Sequence, residues 1–524
     1  VNLQESWLFF RTVFVDNRRS EVSKLERWTK EEKNQVLKTS DEERLNKLHD
    51  AIALSKWRTQ YHIQTVTGLL NDPNGFCCFK KQWHLFYQWF PFGAVHGTKH
   101  WYHVVSKDLI HWENVGMAME PDLIFDNRGC YSGSAFPKDE YLYLLYTGNH
   151  KDQDDKRTPY QMIAAMNAKG TITKLKHPIV EPHKDYTEHQ RDPKIFFANG
   201  MYWMLLGAQD KEQHGKMILY KSKQIAIGWE FAGELKVKGY PYFGYMVECP
   251  DIEKIGDKWL LLFSPQGYAA KGDEFRNAYQ NVYLIGDLDL TNLEFKPEGP
   301  YRELDRGFDF YAAQCANQNE YKNTAVLAGW FGCSDYSYPA TDEEGWSGLI
   351  TLPRELTIED GRLKQRPIRT AEQLKGEKVF EALRGNITKD TMHGRMPQAC
   401  VMHVDDPDSN AFELGLYSQT MKKGFSIVYD PNRKYFTIDR GDLENQCNTE
   451  YGTDRRIKLE EGLKSLEIFV DHSTVEIFIN NGDYVMSSRI FPNPDEHLIR
   501  MRGKDITLTV WEAKRTVTDN FKLK

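Results

Sequence analysis

Leu69–Trp89 reads LLNDPNGFCCFKKQWHLFYQW, and two features of it decide how the rest of the chain is understood. Asn71–Gly75 sets one acid, Asp72, among an amide, a proline and a glycine. Proline fixes φ and glycine frees it, so the spacing predicts a tight turn that holds the Asp72 carboxylate in one direction. From Asn74 onward a short apolar run, a polar break and an aromatic run follow, which is the pattern of a β-hairpin. The same alternation returns in Ser134–Gly148 (SAFPKDEYLYLLYTG), Asp192–Gly207 (DPKIFFANGMYWMLLG) and Cys249–Pro265 (CPDIEKIGDKWLLLFSP).

Acids recur at the step of these hairpins. Asp72 and Asp192 are two steps of about 60 residues apart, with Tyr131–Ser132–Gly133 near the midpoint, and Glu248 and Asp309 follow at similar intervals. Repeated hairpins of this period predict a β-propeller of about five blades between Tyr61 and Leu356, whose first strands line a central axis. Acids at equivalent places would then meet in one funnel. Before the ring, Asp16–Trp57 is charged and lacks alternation. Ser40 with Glu43 forms a capping-box pattern ahead of Leu45, Leu48 and Ile52, and Thr29 with Glu32 offers a second. After it, LPREL (Leu352–Leu356) and the stretch to Arg369 read as exit and linker, and Ala371–Lys378 as a short helix. Alternating strands follow to Lys524, clearest in Leu466–Asn480 with a turn at Asp471–Ser473, and predict a β-sandwich. Asp471, His472 and Glu476 read as turn and surface residues. The expected fold is all-β: a five-bladed propeller over residues 58–366 and a C-terminal sandwich over 367–524, with a helical arm over 1–57.

Composition removes several functions. A net charge of −7 without a basic run argues against nucleic-acid binding, which needs clustered cations. The cysteines Cys77, Cys78, Cys130, Cys249, Cys315, Cys333, Cys400 and Cys447 show neither disulfide-scaffold nor zinc spacing. No apolar stretch is long enough to span a bilayer. WLFF at Trp7–Phe10 is preceded by Glu5 and interrupted by Arg11, unlike a signal h-region, so the expected location is the cytoplasm, with no membrane partner.

The chemistry rests on Asn71–Asp72–Pro73, Arg191–Asp192–Pro193 and Glu248–Cys249–Pro250. Two carboxylates across a scissile bond are what glycoside hydrolysis uses, one ionised to attack and one protonated to donate. A third can hold substrate hydroxyls, and mutual repulsion should keep one acid protonated near neutral pH. These residues leave open which acid does which job. They also leave open a divalent cation held by Asp72, Asp192 and Glu248, for which chelator sensitivity is the discriminator, and a carbohydrate-binding propeller without catalysis.

NDPNG, RDP and the Glu-Cys pair, in this order, resemble the signature boxes of glycoside hydrolase family 32, the invertases, fructanases and sucrose-6-phosphate hydrolases. The resemblance runs from about Leu54 to Pro492 and includes YSGSA (Tyr131–Ala135), DFYA (Asp309–Ala312) and Gly329–Trp330. It implies Asp72 as nucleophile of a covalent fructosyl-enzyme, Glu248 as acid and then base, and Asp192 as transition-state stabiliser. It further implies a fructose pocket of Leu70, Asn71, Gln88, His96, Tyr131, Ser132, Arg191, Tyr311 and Trp330, retention of configuration, a sugar or sugar-phosphate substrate, and neither cofactor nor metal. Phe90 and His96 stand where many members carry Asn and Trp. With SPQG at Ser264–Gly267, this variant is similar to the bacterial branch that cleaves sucrose phosphorylated during uptake, the alternative being a fructan or plain sucrose hydrolase. A phosphate would need cationic donors at the rim, for which Lys99, His100, Lys271 and Arg276 are the candidates.

Overall fold

A computed structural model of the chain describes residues 28–317, 321–382, 386–406, 408–419 and 421–524. It is about 52% strand and 7% helix, an all-β protein built as a β-propeller followed by a β-sandwich. Residues 1–27, with the WLFF run, lie outside the described residues.

Each propeller sheet is an antiparallel meander with its first strand innermost. The first sheet orders Gly68–Phe79, Gln82–Phe90, His100–Ser106 and Trp112–Met119 from the axis outward. The hairpins read from the sequence form where expected. Lys80 and Lys81, at φ 50° and 62°, turn the first, and Asn199–Gly200, at 53° and 74°, turn the third; two positive φ angles give the twist that matches paired strands. The inner strands Gly68–Phe79, Cys130–Lys138, Tyr186–Ala198, Met246–Ile255 and Tyr311–Cys315 pack side by side around the axis. The last returns to the first through Asn317, whose N–H donates to Phe76 O at 3.0 Å and whose carbonyl accepts from Cys78 N at 3.3 Å. Trp346–Ser347 also pairs in parallel with Gly68–Leu69.

The sandwich is two six-stranded sheets enclosing an apolar core that includes Leu414, Ile427, Ile468, Ile477 and Val510. Past Ala513 the chain leaves it and runs back along the propeller, where Met117 N donates to Leu523 O at 2.9 Å and Arg58 pairs with Asp519.

Several local expectations are corrected. Asn71–Gly75 is no turn but the interior of the strand Gly68–Phe79. The expected linker is a hairpin, Arg354–Glu359 with Arg362–Pro367, which completes the last propeller sheet; its turn, Asp360–Gly361, also takes positive φ. Ala371–Lys378 holds only the end of a 3-10 turn, Arg369–Leu374, before a strand begins at Lys375. In the arm, the capping box forms at Thr29, where Glu32 N donates to the hydroxyl and Thr29 N to the Glu32 carboxylate. Ser40 caps nothing; a 3-10 turn, Thr39–Asp41, runs directly into the helix Glu42–Ile52.

Asp471 and Glu476 are not surface residues, since both are fully buried where the sandwich meets the propeller. Asp471 accepts from the backbone N–H of Gln60, Tyr61 and His62 at 2.8, 2.9 and 3.1 Å. Glu476 accepts from Leu352 N at 2.7 Å and from the Arg354 guanidinium at 3.1 Å. His62 lies between them, Nδ1 3.0 Å from Asp471 and Nε2 3.0 Å from Glu476. Two carboxylates facing both ring nitrogens require both to carry protons, so His62 is an imidazolium. Burial alone would discharge it, but the carboxylates outweigh burial and push it up to about 9. Asp309, expected in the funnel, belongs to the same interface. It accepts from Tyr338 Oη at 2.7 Å, Arg440 Nη1 at 2.8 Å and Arg489 N at 2.7 Å.

Candidate active site

The inner strands share one irregularity. Pairing slips between Leu70 and Pro73, Cys130 and Gly133, Arg191 and Lys194, Glu248 and Asp251, and Tyr311 and Gln314. A bulge frees its residues from the ladder and re-aims their side chains. Aligned on Asn74, Ser134, Lys194, Asp251 and Gln314, which bond from one inner strand to the next, Asp72, Ser132, Asp192, Cys249 and Ala312 are equivalent, as are Asn71, Tyr131, Arg191, Glu248 and Tyr311. The acids therefore follow the period imperfectly. Glu248 sits one place ahead of Asp72 and Asp192, and the last sheet offers Tyr311 in place of an acid. Asp192, Cys249 and Ala312 all take positive φ, at 66°, 45° and 51°, a conformation costing a non-glycine residue roughly 1–2 kcal/mol. The surrounding ring sustains that strain.

Two residues beyond Asp72, Ser132, Asp192, Cys249 and Ala312, a second layer ties neighbouring strands together. Gly133 N donates to Asn74 Oδ1 at 3.0 Å, Ser134 Oγ to Pro193 O at 2.7 Å, and Phe76 N to Gln314 Oε1 at 2.9 Å. Lys194 reaches Asp251 Oδ1 at 2.9 Å and Cys315 O at 2.9 Å, while Cys315 N donates back to Asp251 Oδ2 at 2.8 Å. This buried layer, unseen in the sequence reading, holds the bulges in place.

Above it, a cavity of about 520 Å³ is lined by Asn71, Asp72, Gln88, Arg191, Asp192, Glu248 and Tyr311, among others. Asp72 accepts from Ser132 Oγ and, at 3.1 Å, from Asn71 Nδ2; Gln88 donates to Ser132 and lies 3.5 Å from Asp72. Lys99 Nζ donates to Asn71 Oδ1 at 2.6 Å, so Asn71 is gripped at one end and aims its amide at Asp72 with the other. Burial brings Lys99 down to about 7 against the pull of Asp72. Asp192 accepts from Cys249 N at 2.9 Å, and its own N–H donates to Thr147 Oγ1 at 3.1 Å. Burial pushes it up to about 7, with Glu248 and Asp72 adding to the rise and Arg191 opposing it. Glu248 accepts from Arg191 Nη2 at 2.6 Å, Tyr311 Oη at 2.7 Å and Gln266 Nε2 at 2.8 Å. The Cys249 thiol lies 3.6 Å from Asp192 and 3.9 Å from Asp72. Burial first and these acids second raise its pKa, so it is no second nucleophile.

His96, Lys99 and Tyr131 also line the cavity, whereas Leu70 and Trp330 do not. Leu70 pairs with Trp89 and is wholly buried, and Trp330 packs edge-on against His96 and Tyr311. Of the four cations named for a phosphate, only Lys99 faces the cavity. His100 is buried and approached by Leu37 N at 3.5 Å, and Arg276 pairs with Asp454 of the sandwich at 3.0 Å. Lys271 sits in a small exposed loop closed by Glu274. Gln266, within SPQG, is a site residue that sequence reasoning missed, although it ends the second strand of its sheet and Gln88 stands two residues from the end of the second strand of the first.

The family model for the glycosyl hydrolases family 32 N-terminal domain matches residues 62–367, and that for the family 32 C-terminal domain matches residues 370–513. The chain belongs to glycoside hydrolase family 32. Among family members, a sucrose-6-phosphate hydrolase of Staphylococcus xylosus is 39% identical over 467 residues, covering 88% of this chain and 93% of that one. The structure of sucrose-6-phosphate hydrolase from Lactobacillus gasseri superposes with a TM-score of 0.87 at 35% identity, covering 93% of this chain and all of that one. A Bombyx mori family 32 β-fructofuranosidase, solved as a mutant in complex with sucrose, superposes at 0.79 with 30% identity over 92% of this chain and all of its own. The family's glycosidase chemistry fits a cavity whose floor presents three carboxylates, each gripped by a hydrogen-bond donor from a neighbouring strand. Among the described residues no helix is long and apolar enough to cross a membrane.

Proposed function

We propose that the chain hydrolyses sucrose 6-phosphate, and sucrose less well, by double displacement at the fructosyl carbon. The observation that carries this reading is the convergence of Asp72, Asp192 and Glu248 on one cavity, each on a bulge of a different strand. The Asp72 carboxylate attacks the anomeric carbon of the fructosyl unit, forming an ester as the bond to the glucosyl oxygen breaks. Glu248 gives its proton to that oxygen, and glucose 6-phosphate leaves. Glu248 then takes a proton from water, which attacks the same carbon and releases fructose and the Asp72 carboxylate. Asn71 and Ser132 orient Asp72 for this attack, and Arg191, Tyr311 and Gln266 fix Glu248. Asp192 holds fructose hydroxyls and offsets the positive charge that develops on the ring. No cofactor enters these steps.

The names of the relatives and the abundance of cations around the cavity support a phosphorylated leaving group. A phosphate ester crosses membranes poorly, which supports a cytoplasmic place of action. The test is kcat/KM for sucrose 6-phosphate, sucrose and inulin on one preparation. A tenfold or greater preference for the phosphate, about 1.4 kcal/mol of transition-state binding, is expected. Equal values, or preference for inulin, would make the chain a general fructosidase.

A further inference from the structure

The cavity lining holds seven cations, Lys30, Lys33, Lys99, Arg128, Lys151, Arg157 and Arg191, against the three catalytic carboxylates. In a chain of net charge −7 that is a strong local reversal. Most of these cations are engaged. Arg191 is paired with Glu248, Lys99 with the Asn71 amide, and Lys30 and Lys151 share Asp155 at 3.2 Å each. Lys33, Arg128 and Arg157 have no carboxylate within ion-pair distance among the described residues. Arg128 gives one N–H to Asn127 O at 3.1 Å and keeps a buried Nε without any partner among them, while its backbone is fixed from both sides by Asn149. The Arg157 guanidinium faces the Tyr131 ring, 5.9 Å away.

Lys33 comes from a separate element. The arm docks on the propeller through Trp28, which packs edge-on against Phe90, and through Lys33 O, which accepts from Thr98 N at 2.8 Å. Gly97 allows this approach, since a Cβ there would lie 2.7 Å from Lys33 O. The arm therefore forms one wall of the cavity mouth. An anion drawn to these cations is repelled from the floor by Asp72 and Glu248, so it belongs at the mouth, where the leaving sugar points.

We propose that Lys33, Arg128 and Arg157 form a clamp for the phosphate monoester of the leaving sugar, with the N-terminal arm supplying one jaw. Guanidinium groups grip phosphate oxygens in pairs, and an ammonium adds a point charge. This assignment rests on the reading of the substrate as a sugar phosphate. It replaces His100, Lys271 and Arg276 as the phosphate contacts.

Arg128→Gln and Lys33→Met, made separately in the full chain, are expected to lower kcat/KM for sucrose 6-phosphate at least tenfold more than for sucrose. The second arm uses inorganic phosphate as a competitive inhibitor of sucrose cleavage. The parent should be inhibited, and both variants should require at least tenfold more phosphate. If the parent lacks a preference for sucrose 6-phosphate yet phosphate still inhibits it through these residues, the clamp stands and the substrate reading falls. Equal losses on the two sugars, or phosphate inhibition unchanged in both variants, overturn the clamp.

Discussion

Asp72→Asn is expected to lower kcat/KM by about four to six orders of magnitude, as removal of an attacking group does in other covalent enzymes. An amide of the same shape keeps the packing and the neighbourhood of Ser132 and Asn71, yet an uncharged nitrogen or carbonyl attacks the fructosyl carbon poorly. The fold should not suffer. Burial and the nearby Glu248 charge already press Asp72 toward its neutral form, so a neutral side chain relieves a cost that the native site bears. Steady-state rates on sucrose with a thermal melt of the same sample provide the check. The expected pair of results is a lost rate and a melting temperature no lower than the parent's. A rate within tenfold of the parent's would give the attack to another group.

Asp471→Ala is expected to destabilise the chain by about 3–5 kcal/mol, because it removes one side of a buried ionic pair and strands its donors. The backbone N–H groups of Gln60, Tyr61 and His62 lose their acceptor, and His62 keeps only Glu476. The effect should depend on pH. The folded value of His62, about 9, lies above its unfolded value near 6.5. Its contribution is thus complete below about pH 6.5 and fades as pH rises through 9. Asp471 and Glu476 are held below the usual carboxylate range by His62 against the opposing effect of burial. Their share is complete above their unfolded values near 4 and fades as the solution becomes more acidic. The gap between parent and variant in denaturant midpoint should therefore be widest between about pH 5 and 6.5 and narrow toward pH 10. A gap that is flat with pH would mean that the contact of His62 with Asp471 and Glu476 is held by packing alone.

The hairpin pattern was readable because each blade states it locally: an apolar run, a turn, an aromatic run. The acids were readable as a period, but the period marks the bulge and not the acid. That is why Asp309 was misplaced, while Ser132, at the place of Asp72 and Asp192, and Tyr311, at the place of Glu248, complete the ring. Lys99 and His100 show a second limit. Neighbours on an extended chain face opposite ways, so only one of them could reach the cavity, and Lys99 does. The buried His62–Asp471–Glu476 cluster was invisible because the sandwich hairpin reads as solvated until the propeller covers it. Lys33 and Arg128 were missed for the same reason. Which wall an arm or a loop forms depends on docking between segments far apart in sequence, and no local pattern encodes it.

The measurement closest to the central claim is to quench the enzyme with acid during turnover and map any covalent fructosyl group by peptide mass spectrometry. The arrangement of Asp72 on its bulge, with Glu248 held opposite by Arg191 and Tyr311, predicts an ester on Asp72 alone, with fructose released in its original anomeric configuration. An adduct on Asp192 or Glu248, or inverted fructose, would contradict it.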